Sequence, residues 1–228
     1  MTRTSSSPLA KFATLFAMPS SFLQRESPVG MLTIRLPSGA FEYEPLTPLA
    51  AAGGFGQVFL GHSASGEVAI KKLHLSAAEA AHRELDIARD LKGTKFKHVV
   101  EIIDAGEDAD SGGYFVVMPR AEFSLRQELK RRGKFAPAEA AAIMHEVVSG
   151  LAEVPHIIHR DLKPDNILRH EGRWKIADFG IARFVEDATS SQTLKGCLSP
   201  LYAAPEQWRN ERATNATDVY ALRRLRQR

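Results

Sequence analysis

Short alternating apolar runs dominate the first half of the chain. Met31 to Leu36 (MLTIRL) and Phe41 to Leu46 flank Pro37-Ser38-Gly39, which predicts two strands joined by a turn. Gly53-Gly54-Phe55-Gly56 interrupts a second strand pair, with Val58-Phe59-Leu60 on its far side. Gly66 marks the next turn, and Val68-Ala69-Ile70 reads as another short strand. The pattern then changes to helical spacing over 76–91. Ser76 is a candidate cap, Glu79 its capping-box partner, and Leu85, Ala88 and Leu91 the apolar stripe. Val99 to Ile103 and Tyr114 to Met118 read as two more strands, separated by the acidic, glycine-rich turn from Gly106 to Gly113.

After Pro119 the period lengthens. Ser124 to Arg131 predicts a short helix and Ala136 to Val154 a long one. Pro137 stands near the start of the latter, where its missing N–H costs nothing. Ile143, Val147, Leu151 and Val154 would form the buried face of the long helix, and Thr217 to Leu225 opens another. There is no internal repeat. The pattern describes an α+β chain with an antiparallel, strand-rich part carrying one helix (31–119) and a mainly helical part (120–228).

Residues 1–30 differ: Ser- and Pro-rich, with Arg3, Lys11 and Arg25 against the single acid Glu26. Such a stretch fits a targeting leader, a disordered extension or an upstream translation start, and the strand-like run from Met31 favours the last two. The 228 residues are 44% hydrophobic and 25% charged, ordinary globular composition. A net charge of +3, with no basic stripe interleaved with aromatics, argues against nucleic acid as partner. Cys197 is the only cysteine, which excludes an internal disulfide and fits a reducing, cytoplasmic location. No run of eighteen apolar residues would span a membrane.

Chemistry concentrates in His159-Arg160-Asp161-Leu162-Lys163-Pro164-Asp165-Asn166 and in Asp178-Phe179-Gly180. Asp161 can accept the proton of a hydroxyl nucleophile. Asn166 and Asp178 offer hard oxygen ligands suited to Mg²⁺, or to Mn²⁺ as a second hard cation. Lys163 can neutralise charge on a transferred phosphoryl group. Leu162, Ile167, Leu168, Ile176 and Phe179 would anchor these polar residues. The turn Ala51-Ala52-Gly53-Gly54-Phe55-Gly56-Gln57-Val58 lets backbone N–H groups approach phosphate oxygens. It lies between strands, so it is no dinucleotide fingerprint. Lys71 ends an apolar strand, and Glu84 on the following helix could hold it toward a phosphate.

Taken together, AGGFGQV (52–58), VAIK (68–71), Glu84, HRDLKPDN (159–166), DFG (178–180) and APE (204–206) resemble a eukaryotic-type (Hanks-type) Ser/Thr protein kinase, a type also common in bacteria. The resemblance covers about residues 45 to 222 and implies a two-lobed protein kinase-like fold using ATP. It implies catalytic roles for Asp161, Lys163, Lys71 and Glu84, and metal binding by Asn166 and Asp178. Nucleotide contacts are implied for Ala51, Gly53, Gly54, Phe55, Gly56, Val58, Ala69, Lys71, Met118, Arg120 and Ala121. Lys163 is the Ser/Thr rather than the Tyr kinase pattern, so protein is the expected substrate. Asp218 resembles a buried aspartate that supports the catalytic-loop backbone. Arg160 implies control by phosphorylation, with Thr193 the preferred site among Thr189, Ser190, Ser191 and Thr193.

The family pattern is broken in several places. Ala51 replaces the first glycine of the phosphate loop. Pro119 stands where the family has Glu, so the adenine should be held by backbone groups of Arg120 and Ala121. In GCLSPLYAAPE (196–206), Cys197 takes the place of a threonine that touches the catalytic Asp, and the spacing to Tyr202 reads as long. After Leu222 the chain becomes Arg-Arg-Leu-Arg-Gln-Arg, and the helical lobe reads as incomplete, without the arginine that pairs with Glu206. Buried unpaired charge is costly, so this arginine-dense end should lie at a surface. Two functions remain open: a Ser/Thr protein kinase, or an inactive or unstable kinase-like fragment serving as a nucleotide-binding or protein-interaction module.

Overall fold

Alternation becomes geometry at the first strand of the computed structural model, which describes residues 30–50, 56–74, 78–178, 199–209 and 211–226, with the side chains of 78–84 outside that description. In β1 (Leu32–Leu36), Ile34 and Leu36 turn inward while Thr33 and Arg35 face solvent. β1 pairs antiparallel with β2 (Gly39–Pro48), Ile34 opposite Phe41. The turn between them places Gly39 at φ +145°, which a side chain rarely adopts. β3 (Gly56–Ser63) and β4 (Gly66–Leu73) form the next hairpin, with β6 (Tyr114–Pro119) beside β4 and β5 (Asp104–Glu107) at the far edge. The six-stranded order is β1-β2-β3-β4-β6-β5, every pair antiparallel.

Phe41, Tyr43, Phe59, Ile70, Phe115 and Val117 pack into one core cluster of this sheet with Ile34 and Leu36. The Tyr43 ring lies 5.2 Å from that of Phe59 and 6.0 Å from that of Phe115. The outer strands β1 and β5 are tied by side chains rather than by a backbone ladder. Asp108 Oδ1 accepts from Arg35 N (2.7 Å), and the buried Asp104 Oδ2 accepts from Ser38 N (2.7 Å). These carboxylates satisfy edge donors that would otherwise invite another chain.

The strand predicted over 99–103 is not there. Val99 and Val100 are buried and Ile102 and Ile103 partly so, but the segment crosses between the two parts of the fold. Val99 bridges Ile176 in parallel, Val100 N donates to Ile176 O (2.8 Å), and Ile176 N donates to His98 O (2.8 Å). Strand β5 starts only at Asp104 and takes in Gly106 and Glu107, which read as turn. A short apolar run reports burial but cannot distinguish a strand from a buried crossing.

Helix α1 (Ala78–Leu91) packs Leu85 and Ala88 against Val100, Val116 and Met118. The Ser76 cap and the Glu79 side chain lie outside the described residues. α2 (Leu125–Arg132) is opened by the capping box that Ser124 forms with Gln127. In α3 (Pro137–Glu153), Ile143 and Val147 are buried as expected, and Val154 closes the helix fully buried. A second sheet, β7 (Phe123–Ser124), β8 (Ile167–His170) and β9 (Arg173–Ile176), lies between α2 and α3. Gly150 lets α3 approach the 98–99 crossing, since a Cβ there would sit 2.5 Å from His98 O. A short helix α4 (Pro205–Trp208) precedes α5 (Asn215–Arg226). On α5, Ala221 and Leu225 join the core with Leu222 packed against it, while Arg223 and Arg226 are exposed and Arg224 is half-buried. Up to Arg226 the arginines thus lie at a surface, because helical periodicity puts the leucines and the charges on different faces. No described helix is long and apolar enough to cross a membrane.

Candidate active site

The loop 159–166 is held in a conformation the chain would not choose locally. Arg160 has φ +66° and Asp178, across the cleft, φ +63°. A left-handed conformation costs a non-glycine residue about 1–2 kcal/mol, so something must hold it. Asp218 does so from α5. Its Oδ2 accepts from His159 N and its Oδ1 from Arg160 N, both at 2.8 Å and buried. Gln207, buried on α4, donates Nε2 to Arg160 O (2.8 Å) and accepts from Ala204 N (2.9 Å). His159 is fully buried. Its Nδ1 accepts from Asp161 N (3.3 Å), which leaves the proton on Nε2 to reach Ala177 O (2.9 Å). One ring therefore joins the loop of Asp161 to the residue preceding Asp178.

Among the described residues, three side chains donate to the Asp161 carboxylate. Lys163 Nζ donates to Oδ2 at 2.6 Å, and Asn166 Nδ2 donates to the same oxygen at 3.2 Å and to Asp161 O at 2.9 Å. Ser199 Oγ donates to Oδ1 at 3.0 Å. Ser199 had no role in the sequence reading, which put Cys197 opposite the catalytic Asp. Cys197 lies outside the described residues, and the hydroxyl on Asp161 belongs to Ser199. Counting back from Tyr202 through Leu201 and Pro200 would have found it, and on that count the spacing is not long.

Across the cleft, Lys71 Nζ stands 3.5 Å from Asp178 Oδ1, the lysine buried and the aspartate a quarter exposed. Lys71 lies opposite Val58 and Val116 in the β-ladder, and Ala69 opposite Met118, so these residues share one stretch of sheet facing the cleft. Glu84 lies on α1, but its side chain is outside the description. Leu91, Val100, Val116, Met118 and Ala177 line a cavity of about 20 Å³ together with Asp178. The Arg120 guanidinium is turned away to Glu67 Oε2 (2.5 Å), so any part it plays in the cleft falls to its backbone, beside Ala121. Gly56 has a structural cause, since a Cβ would meet Lys72 O at 2.4 Å. Ala51, Gly53, Gly54 and Phe55 lie outside the described residues, as do Phe179, Gly180 and the hydroxyls of 189–193.

Residues 50–223 match the family described as the protein kinase domain. This chain belongs to that family. Curated relatives include the serine/threonine-protein kinase PrkC of Bacillus subtilis, 36% identical over 179 residues, and the probable serine/threonine-protein kinase PknB of Corynebacterium glutamicum, 35% identical over 196. The alignments cover 75% and 80% of this chain but 27% and 30% of those proteins, so the chain spans between a quarter and a third of their length. Among solved structures, the Mycobacterium tuberculosis PknI kinase domain superposes with a TM-score of 0.59 at 25% identity, covering 79% of this chain and 68% of that one. The kinase-domain fold accounts for the antiparallel sheet, helix α1 packed on it and the mainly helical part after Pro119.

Two further features of this kinase domain were out of reach of pattern reading. Glu206 accepts from Thr217 Oγ1 (2.7 Å), and Thr217 Oγ1 in turn accepts from Thr214 N (3.1 Å), which fastens α4 to the start of α5. Tyr202 is buried and receives Arg126 Nη2 at 3.2 Å. Neither partner is adjacent in sequence, and no motif announces it.

Proposed function

We propose that this chain is an ATP-dependent Ser/Thr protein kinase, transferring the γ-phosphoryl group of ATP to serine or threonine hydroxyls of protein substrates. The observation that carries the reading is the Asp161 carboxylate. It already holds one hydroxyl at 3.0 Å, the reach a general base needs, with the Lys163 ammonium 2.6 Å away on its other oxygen. A substrate hydroxyl brought to the same carboxylate is oriented and loses its proton there. Lys163 then offsets charge developing beside it.

The cleft suits a divalent cation. Asn166 commits its Nδ2 to Asp161, so its carbonyl oxygen is the atom left to ligate, and Asp178 adds a carboxylate. Among the described residues no group of three His, Cys, Asp or Glu side chains gathers at one point. Two hard oxygens fit Mg²⁺, which keeps waters and takes further ligands from phosphates, better than a cation needing an all-protein cage. Bound Mg²⁺–ATP supplies the transferable phosphoryl group and the positive charge that neutralises it. Lys71, oriented by Glu84, would bind the α- and β-phosphates. Gly53, Gly54 and Gly56 with their neighbours Ala51 and Phe55 would cover them. Val58, Ala69 and Met118 would wall the adenine, and the backbone of Arg120 and Ala121 would hydrogen-bond it. In this reading 31–119 is the nucleotide lobe, 120–228 the substrate lobe, and 1–30 an extension. Self-phosphorylation at Thr193 or its neighbours would regulate the activity, and the cytoplasm, which supplies ATP, is the compartment.

The test pairs two measurements on the chain and its Asp161→Asn variant. Mg²⁺–ATP should raise the unfolding midpoint of both. Only the unsubstituted chain should transfer labelled phosphate to myelin basic protein. A midpoint raised without transfer would favour a nucleotide-binding module instead. No shift and no transfer would remove both readings.

A further inference from the structure

One guanidinium joins three segments that lie far apart in sequence. The Ser124 capping box fixes the first turn of α2, which sets where Arg126 can reach. From there Nε donates to Asp165 Oδ2 (3.1 Å) in the turn that carries Asn166. Nη2 donates to the phenol oxygen of the buried Tyr202 (3.2 Å), and the guanidinium carbon lies 5.9 Å from that ring's centroid. Tyr202 N and Ala203 N both donate to Ser199 O, at 2.9 and 3.0 Å, so Ser199 and Tyr202 move as one turn. The Ser199 hydroxyl ends on Asp161.

Resting on the phosphoryl-transfer reading, we propose that Arg126 is a positioning residue for the protein substrate. It clamps the Ser199–Tyr202 turn to the catalytic loop and so sets the surface against which the acceptor hydroxyl is presented to Asp161. Arg126 touches no reacting atom and acts through Tyr202 and Asp165. The exposed ion pair with Asp165 alone would carry little. What distinguishes the arrangement is the fork, whose two arms reach different segments. A lysine ammonium cannot reproduce that planar geometry. In that reading the nucleotide is held by β3, β4 and the 118–121 connection, whereas the Arg126 guanidinium bonds to Asp165 and Tyr202, so the effect falls on the protein substrate.

The experiment compares Arg126→Gln, Arg126→Lys, Tyr202→Phe and Arg126→Gln/Tyr202→Phe in the full chain. KM for ATP, KM for myelin basic protein and kcat are read alongside hydrogen exchange at the Tyr202 and Ala203 amides. Arg126→Gln should raise KM for the protein about tenfold, the loss of one charge-assisted hydrogen bond. Arg126→Lys should recover only part of that, and KM for ATP should stay within about twofold. The double variant should be no worse than Arg126→Gln, because both remove the same link. The two amides should exchange faster in Arg126→Gln while the Ile103 amide, bonded to β6, does not change. Unchanged exchange, or KM for ATP and protein rising together, overturns the proposal. If the unsubstituted chain transfers no phosphate, the kinase reading fails and the exchange arm decides alone: faster exchange at the two amides upholds the clamp, and unchanged exchange removes it.

Discussion

Asp218→Asn isolates the link between the helical core and the catalytic loop. Both oxygens of Asp218 accept buried backbone N–H groups at 2.8 Å, from His159 and Arg160. Asparagine keeps one acceptor but turns an NH₂ toward the other N–H, and the negative charge is gone. A hydrogen bond to a charged group contributes about 1.5–3 kcal/mol net, so losing one outright and weakening the second costs roughly 3 kcal/mol. For a chain of this size each kcal/mol moves the unfolding midpoint by about 2–4 °C, which gives a drop of about 6–12 °C. The damage should also be local. Arg160 is held at φ +66°, and without its anchor it relaxes toward ordinary backbone, drawing Asp161 away from Lys163 and Ser199. Thermal and urea unfolding measure the first effect, and phosphate transfer at saturating Mg²⁺–ATP the second, with kcat falling more than KM for ATP rises. A midpoint within about 2 °C of the unsubstituted chain, with transfer unimpaired, would refute the reasoning; the 2 °C bound is the shift expected from less than 1 kcal/mol.

Ser199→Ala should raise KM for a protein substrate several-fold, while Ser199→Thr, which keeps the hydroxyl, should restore it; equal effects of both would show that the contact with Asp161 does not matter. Gly150→Ala should destabilise by about 1–3 kcal/mol, since its Cβ would meet His98 O at 2.5 Å and Ile176 Cδ1 at 3.1 Å; a neutral result in urea unfolding would mean that α3 can shift away. Burial pushes the Asp108 carboxyl up, but the N–H of Arg35 and the hydroxyl and N–H of Ser111 outweigh it and hold the group below the ordinary aspartate value. A depressed folded-state value contributes stability that is fully present above the unfolded value and is lost as pH falls through the folded one. The stability gap between the unsubstituted chain and Asp108→Asn should therefore be full at neutral pH and close below the ordinary aspartate range. A gap that stays constant through acid titration would contradict this.

Much of the fold was legible because it is written in local spacing. Alternation marked β1 and β2, a short apolar run marked β6, the 124–131 stretch marked α2, and Ile143 and Val147 of the α3 stripe came out buried with Leu151 partly so. The chemistry was legible for the same reason. Asp161, Lys163 and Asn166 sit within one short loop, so their spacing already constrained what they could do together. The segment 99–103 was misread because an apolar run specifies burial and not the partner that buries it, and here the partner is Ile176. Ser199 was overlooked because the Gly196-Cys197 pair drew the assignment, although the count back from Tyr202 points to Ser199; the contact itself joins residues 38 apart.

By itself the sequence determined the type of most long elements, many of the positions that turn inward and the polar residues that gather in the 159–166 loop. Only the tertiary structure decided that Asp218 anchors His159 and Arg160, that the Ser199 hydroxyl ends on Asp161, and that Arg126 reaches Tyr202. Periodicity and motif spacing are short-range properties of a chain. A buried carboxylate needs donors, and a tyrosine hydroxyl needs a partner, but which distant segment supplies them is set when the packed core brings those segments within three ångströms or so of each other.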